Sequence, residues 1–257
     1  MCIRDRAKAA PQLEHPLDRC TGERGDVRER LEEARVVRQH GADLRLLQPH
    51  LRHVPLPLFQ DLEQPNRPIE QVYFPHFGIA SVVAVQSKDT RVEVGLIGYE
   101  GMTGTAIVLG SDRLPHETYV QVAGEGERIS ARALRETMKE SQSLRMSLLK
   151  YVQAFMVQTA HTAISNARGR LDARLARWIL MAQDRVRHET VPLTHEFLAL
   201  MLGVRRAGVT EAVRSLQSRK LIHAGRGEIF VRDRKGLERA AGELYGVPEA
   251  ELRRLIS

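Results

Sequence analysis

From Val54 onward, short runs of strand-type residues alternate with turn formers. The runs are 54–59, 71–74, 79–85, 92–97, 105–109, 118–122 and 127–130. Between them stand Pro65-Asn66, Pro75, Gly78, Lys88-Asp89, Gly98, Gly101, Gly104, Gly110, Pro115 and Gly124. Many short strands at this spacing predict an antiparallel jelly-roll or barrel. Just upstream, the apolar spacing of Asp43 to Leu47 predicts a short helix ended by Pro49. Residues 1–40 carry no sustained period. A helix over 27–40 is compatible with Val27, Leu31 and Ala34 on one face, and the remainder reads as an unpatterned segment, native or not.

At Ser130 the period changes from 2 to 3.6. Leu148, Val152, Phe155, Thr159, Thr162 and Asn166 recur at steps of 4, 3, 4, 3 and 4, the spacing of a coiled-coil seam. A second stripe, Leu144, Leu149, Met156, Ala160 and Ala163, is left to lie back on the barrel. Neither Pro nor Gly falls between Ala131 and Arg168, so a helix of more than about 25 residues is expected. A helix buried inside a monomer is the competing reading; polar residues at seam positions fix register, and on that ground the seam is assigned to self-association. Gly169 interrupts, and Leu171, Leu175, Trp178, Ile179 and Ala182 make the inner face of a further helix.

The next stretch carries the chemistry. Thr194 follows Pro192 as an N-cap, and Phe197, Leu198, Met201 and Leu202 give a short helix its buried side. Gly203 permits a tight turn, after which Val209, Val213 and Leu216 bury a second helix at steps of 4 and 3. Arg205, Arg206, Gly208, Thr210, Glu211 and Arg214 then point elsewhere. Residues 221–231 read as strand, glycine turn and strand, with Arg226 at the tip. This is the pattern of a winged helix-turn-helix. The start of its second helix suits the DNA major groove, where an arginine can bond guanine O6 and N7 together. Thr194 and the amides behind it suit a phosphate, as does Arg226. A helix-turn-helix that docks a protein, beside a barrel that senses a ligand, is the competing reading.

Charge follows the same division. Residues 41–130 hold 7 Lys/Arg against 11 Asp/Glu, whereas residues 205–235 hold 9 against 3. A basic segment beside an acidic domain fits a phosphate-binding module joined to something else. The only cysteines, Cys2 and Cys20, make no disulfide framework, iron–sulfur site or zinc knuckle. No apolar run spans a membrane and the first residues carry no signal-peptide core, so a cytoplasmic protein without a membrane partner is expected. No nucleophile elbow, phosphate loop or His-Glu-x-x-His appears, which argues against an enzyme. His53, His76 and His116 stand at irregular spacing, and no metal or cofactor is assigned to them.

From about Ala42 to Asp233 the chain resembles the Crp/Fnr superfamily of bacterial transcription regulators. The resemblance rests on residues 69–75 (Ile-Glu-Gln-Val-Tyr-Phe-Pro), 98–104 (Gly-Tyr-Glu-Gly-Met-Thr-Gly), 175–180 (Leu-Ala-Arg-Trp-Ile-Leu) and the winged motif. It implies an α+β chain: an N-terminal antiparallel β jelly-roll like a cyclic-nucleotide-binding domain, a long dimerisation helix and a C-terminal winged helix-turn-helix. The expected divisions are 1–40, 41–130, 131–168, 169–240 and a C-terminal helix or tail over 241–257. It further implies a homodimer on a roughly palindromic site in double-stranded DNA, with RNA polymerase as a further partner. By position, Arg206 falls where such regulators place a guanine-reading Arg. Ala207 stands where a Glu is common and Glu211 where an Arg is common, which changes the expected operator. The effector pocket would comprise Tyr99, Glu100, Gly101, Met102, His116, Glu117 and Thr118. No Arg stands in residues 114–120, where one would hold a cyclic phosphate; Arg113 is close but precedes Pro115, and Glu117 would repel a phosphate, so an effector of another kind, or none, is expected.

Overall fold

The computed structural model describes residues 41–87, 90–186, 190–225 and 227–256. The segment 1–40 and the wing-tip Arg226 lie outside them. Alternation builds the first sheet from β1 (Arg52–Leu56), β2 (Asp61–Glu63), β3 (Gln71–Val85), β4 (Arg91–Ile97) and β5 (His116–Ser130). All pairings are antiparallel, in the order β1-β5-β3-β4 with β2 added to β5. Strands expected as separate short runs are here continuous. Pro75, Gly78 and Gly124 do not break β3 and β5, because the pairing slips by bulges between Pro75 and Ala80 that absorb them. Gly78, at φ +93°, lies so close to β5 that a Cβ would sit 2.7 Å from the Val122 carbonyl oxygen. The run expected as a strand at 105–109 is instead a helical turn, α2 (Thr105–Val108), following α1 (Gly41–Leu47). Gly104 starts that turn at φ +73°, and Ala106, Ile107 and Val108 are buried in succession, a pattern that alternation cannot distinguish from a buried strand.

The helical run beyond Ser130 divides in two. α3 (Ala131–Glu140) is capped by the Ser130 hydroxyl, which accepts from the Ala133 amide, and α4 (Gln142–Arg168) by the Ser141 hydroxyl, which accepts from the Leu144 amide. Two serine caps thus do what no Gly or Pro was present to do. α5 (Leu171–Val186) follows. A second sheet, in the order β6-β8-β7, is made of β6 (Thr190–Pro192), β7 (Ile222–Ala224) and β8 (Glu228–Val231). Around it stand α6 (His195–Leu202), α7 (Arg206–Ser218), α8 (Arg234–Ala241) and α9 (Val247–Ile256). No described helix is long and apolar enough to cross a membrane.

The expected seam on α4 faces the other way. Leu148 is fully buried and Val152 nearly so, both in one apolar cluster with Phe74, Leu134 and Tyr151. Phe155 packs against the same cluster and against Val82 and Ile97 of the barrel. The Thr159 and Thr162 hydroxyls donate to the Phe155 and Gln158 carbonyls one turn back, and Asn166 accepts from Arg174. These residues hold the chain to itself. Leu144 is buried and Leu149 packs against the same cluster, but beyond them the stripe expected on the barrel is the outward one: Met156 is 60% exposed, and Gln153, Ala160 and Ala163 are exposed as well. Both stripes have the same period, so spacing alone could not say which one the barrel would cover.

The second apolar cluster gathers α5, α6, α7, the second sheet and α8, and it takes in Ile79, Leu96 and Val122 of the first sheet. The barrel and the C-terminal unit therefore share a core.

Candidate nucleic-acid interface

At Thr194 the backbone is extended and the hydroxyl accepts from the Phe197 amide at 3.3 Å, starting α6. Gly203 ends α6 at φ +60°, a left-handed conformation that costs a glycine little. The Arg174 guanidinium donates to the Leu202 carbonyl left over at that end. Three residues later α7 begins, burying Val209, Ala212, Val213 and Leu216 against the second cluster.

That burial decides what α7 shows to solvent. Arg205, Arg206, Ala207, Glu211 and Arg214 are exposed, and Thr210 is half-buried. Among the described residues no carboxylate pairs with Arg205, Arg206 or Arg214. Most other arginines of the C-terminal unit are engaged: Arg185 with Glu100, and Arg234 with Asp184 and Glu238. The Thr210 hydroxyl donates to the Arg206 carbonyl and lies 3.3 Å from His195 Nδ1, a contact between the two helices that apolar spacing did not reveal. Gly208 has a packing reason of its own: a Cβ there would stand 3.1 Å from Leu171 Cδ2. β7 and β8 form a hairpin beside α7, with Ile222 opposite Val231 and Ala224 opposite Ile229. An extended entry, a capped helix, a left-handed glycine, a helix baring unpaired arginines and a β-hairpin follow one another in a winged helix-turn-helix.

Residues 173–240 match the family model of the Crp-like helix-turn-helix domain. This segment is a Crp-like helix-turn-helix domain. The Crp/Fnr likeness extends to the fold of the described chain as a whole. The c-di-GMP-responsive global regulator CLP of Xanthomonas campestris superposes at a TM-score of 0.61 with 17% identity, over 75% of this chain and 99% of that one. A Crp/Fnr family transcriptional regulator from Eubacterium rectale gives 0.62 and 17%, over 79% and 94%. One from Thermus thermophilus gives 0.60 and 20%, over 74% and 98%. No curated protein matches the chain. The α+β architecture is thus the Crp/Fnr one: an antiparallel sheet, a long helix and a C-terminal Crp-like domain.

In that fold the expected effector residues separate. Tyr99 and Glu100 line a cavity of about 270 Å³ with Tyr151, Phe155, Arg185 and residues of α9. Met102 is fully buried in the first apolar cluster and cannot line it, and a Cβ on Gly101 would run into the Tyr151 ring. His116, Glu117 and Thr118 begin β5 and lie outside that lining. Glu117 pairs with Arg91, so its charge is already matched. The Thr118 hydroxyl donates to Glu63, which also accepts from the Gly104 amide. Burial pushes the Glu63 carboxyl up, against the pull of those two donors. The chain itself thus places a carboxylate at the start of α2, and Glu63 was not singled out by its sequence surroundings.

The Crp-like domain is joined to the barrel by buried polar contacts as well as the shared core. Glu100 and Arg185 form an ion pair at 2.7 Å, with both side chains buried. Trp178 Nε1 donates to Glu93 at 2.6 Å, and the Ser81 hydroxyl donates to the same carboxylate at 2.6 Å. Burial pushes the Glu93 carboxyl up to about 7, while those hydrogen bonds and the charges of Arg177 and Arg185 pull it down. Phe59 stacks on Phe197 of α6 with ring centroids 5.4 Å apart.

Proposed function

We propose that the chain is a sequence-specific DNA-binding transcription regulator that acts as a homodimer. The observation that carries this reading is the outward face of α7, where Arg205, Arg206 and Arg214 stand exposed with no carboxylate partner among the described residues, on a helix held by the Gly203 turn. Such a face meets base edges in a major groove, with Thr194 and the start of α6 on the flanking phosphates. Arg206 is the leading candidate for reading a guanine, worth about 1–3 kcal/mol of discrimination. Arg226 serves a phosphate.

For the dimer, the exposed stripe of α4 supports a pairing surface. Gln153, Met156, Ala160, Ala163 and Ala167 recur at 3, 4, 3 and 4, and the alanines allow two helices to approach closely. Two such chains would present their reading helices about 34 Å apart, matching successive major grooves of an inverted repeat. The Tyr99–Glu100 cavity is where an effector would act, RNA polymerase is a further partner, and the cytoplasm is the setting. Selection from random duplexes, at two salt concentrations, tests the reading. An inverted repeat bound less tightly as salt rises supports it. Failure to retain any duplex in dilute buffer would refute it.

A further inference from the structure

The irregular histidines of the barrel are not all isolated. His53 on β1 stands directly opposite Glu127 on β5, and Glu127 stands directly opposite Phe74 on β3. Residues paired in this way share one face of a sheet, as do residues two apart along a strand. His76 is the extra residue of the bulge where the pairing slips between Pro75 and Phe77, and its ring lies beside that of His53. One donor atom from each of His53, His76 and Glu127 falls within 4.8 Å of the others. The two imidazoles stack at 26° with centroids 6.1 Å apart.

We propose that His53, His76 and Glu127 form a binding site for a divalent transition-metal ion of the zinc type. Two imidazole nitrogens and a carboxylate oxygen suit such an ion and disfavour magnesium and calcium, which prefer all-oxygen cages. The geometry fits. Two donors on a tetrahedral zinc at about 2.05 Å lie roughly 3.3 Å apart, and His53 Nδ1 is 3.4 Å from Glu127 Oε1. Charge fits as well. Glu127 is 1% exposed and supplies the negative charge, and Glu125 lies 3.5 Å from His53 Nε2, where it can accept the proton of the ring nitrogen left free when Nδ1 holds the ion. Access is open on one side, because the His53 side chain is 34% exposed while His76 and Glu127 are buried. Three protein ligands and one open side leave a coordination position for water or a small molecule. The site lies outside both the reading helix and the Tyr99–Glu100 cavity, and it stands or falls apart from DNA binding.

The test uses the full chain with Cys2→Ser and Cys20→Ser, so that no thiolate competes. After chelator treatment, cobalt(II) is titrated and followed by its visible ligand-field absorption, and zinc(II) is titrated by calorimetry. One ion per chain, with the absorption of a low-coordinate nitrogen–oxygen site, is expected. His53→Ala, at a half-exposed position, keeps the fold by circular dichroism and weakens zinc at least about 100-fold. Glu127→Gln behaves alike, and His116→Ala binds as the parent does. Absence of saturable binding, or binding unchanged in His53→Ala, would overturn the assignment.

Discussion

Glu93 joins the barrel to the Crp-like domain through a bond whose strength to the fold varies with pH. In the folded chain its carboxyl is raised from 4.5 to about 7, chiefly by burial. Between those values the folded protein holds a proton that the unfolded chain has released, so stability is whole below pH 4.5 and is lost as pH rises through 7. At 1.36 kcal/mol per pKa unit the full effect is about 3 kcal/mol, of which roughly 2–3 falls between pH 5 and 8. Glu93→Gln keeps an acceptor for Trp178 Nε1 but cannot ionise. Relative to the parent, the glutamine variant should therefore gain roughly 2–3 kcal/mol on going from pH 5 to pH 8. At about 2–4 °C per kcal/mol for a chain of this size, that is a relative Tm change of roughly 4–12 °C. Urea and thermal unfolding followed by fluorescence suit the measurement, since Trp178 is the sole tryptophan and its indole donates to Glu93. Taking the difference between two proteins cancels every group that titrates alike in both. Parallel stability curves for parent and variant across this range would refute the account.

Arg206→Ala should relax the preference at one base pair per half-site by about 1–3 kcal/mol in competition gel shifts, whereas Arg226→Ala should weaken all duplexes alike and lower the salt slope by about 1. Met156→Arg with Ala160→Arg should turn a dimer into monomers in sedimentation experiments without loss of Tm. Leu148→Ala should instead cost about 2–5 kcal/mol of stability by leaving a cavity beside Phe74 and Leu134. Arg185→Met should cost about 3–5 kcal/mol by stranding Glu100, and adding Glu100→Gln should restore much of it, as read by denaturant midpoints.

The C-terminal unit was the most legible part of the sequence. Its elements are set by local residues: Thr194 as cap, Gly203 as turn and the 4–3 spacing of Val209, Val213 and Leu216. The barrel was legible as a class but not in its boundaries, because bulges let Pro75 and Gly78 stay inside one strand. On α4 the two stripes share a period, and only three-dimensional packing shows that Leu148 and Val152 turn inward. Groups far apart in sequence were not legible at all. Glu63 reaches Thr118 and Gly104, Trp178 reaches Glu93, and His53 meets His76 and Glu127 across three strands. Each depends on strand register or domain packing, which no local pattern encodes.

The walls of the 270 Å³ cavity come from the barrel turn at Tyr99, from α4, from α5 and from α9. No excised piece of the chain could reproduce it, so ligand screens on an isolated barrel would return nothing even if the intact protein bound tightly. The placement of α9 also dictates how the protein should be handled. A purification tag appended to its C-terminal end would hang from a helix that walls the cavity.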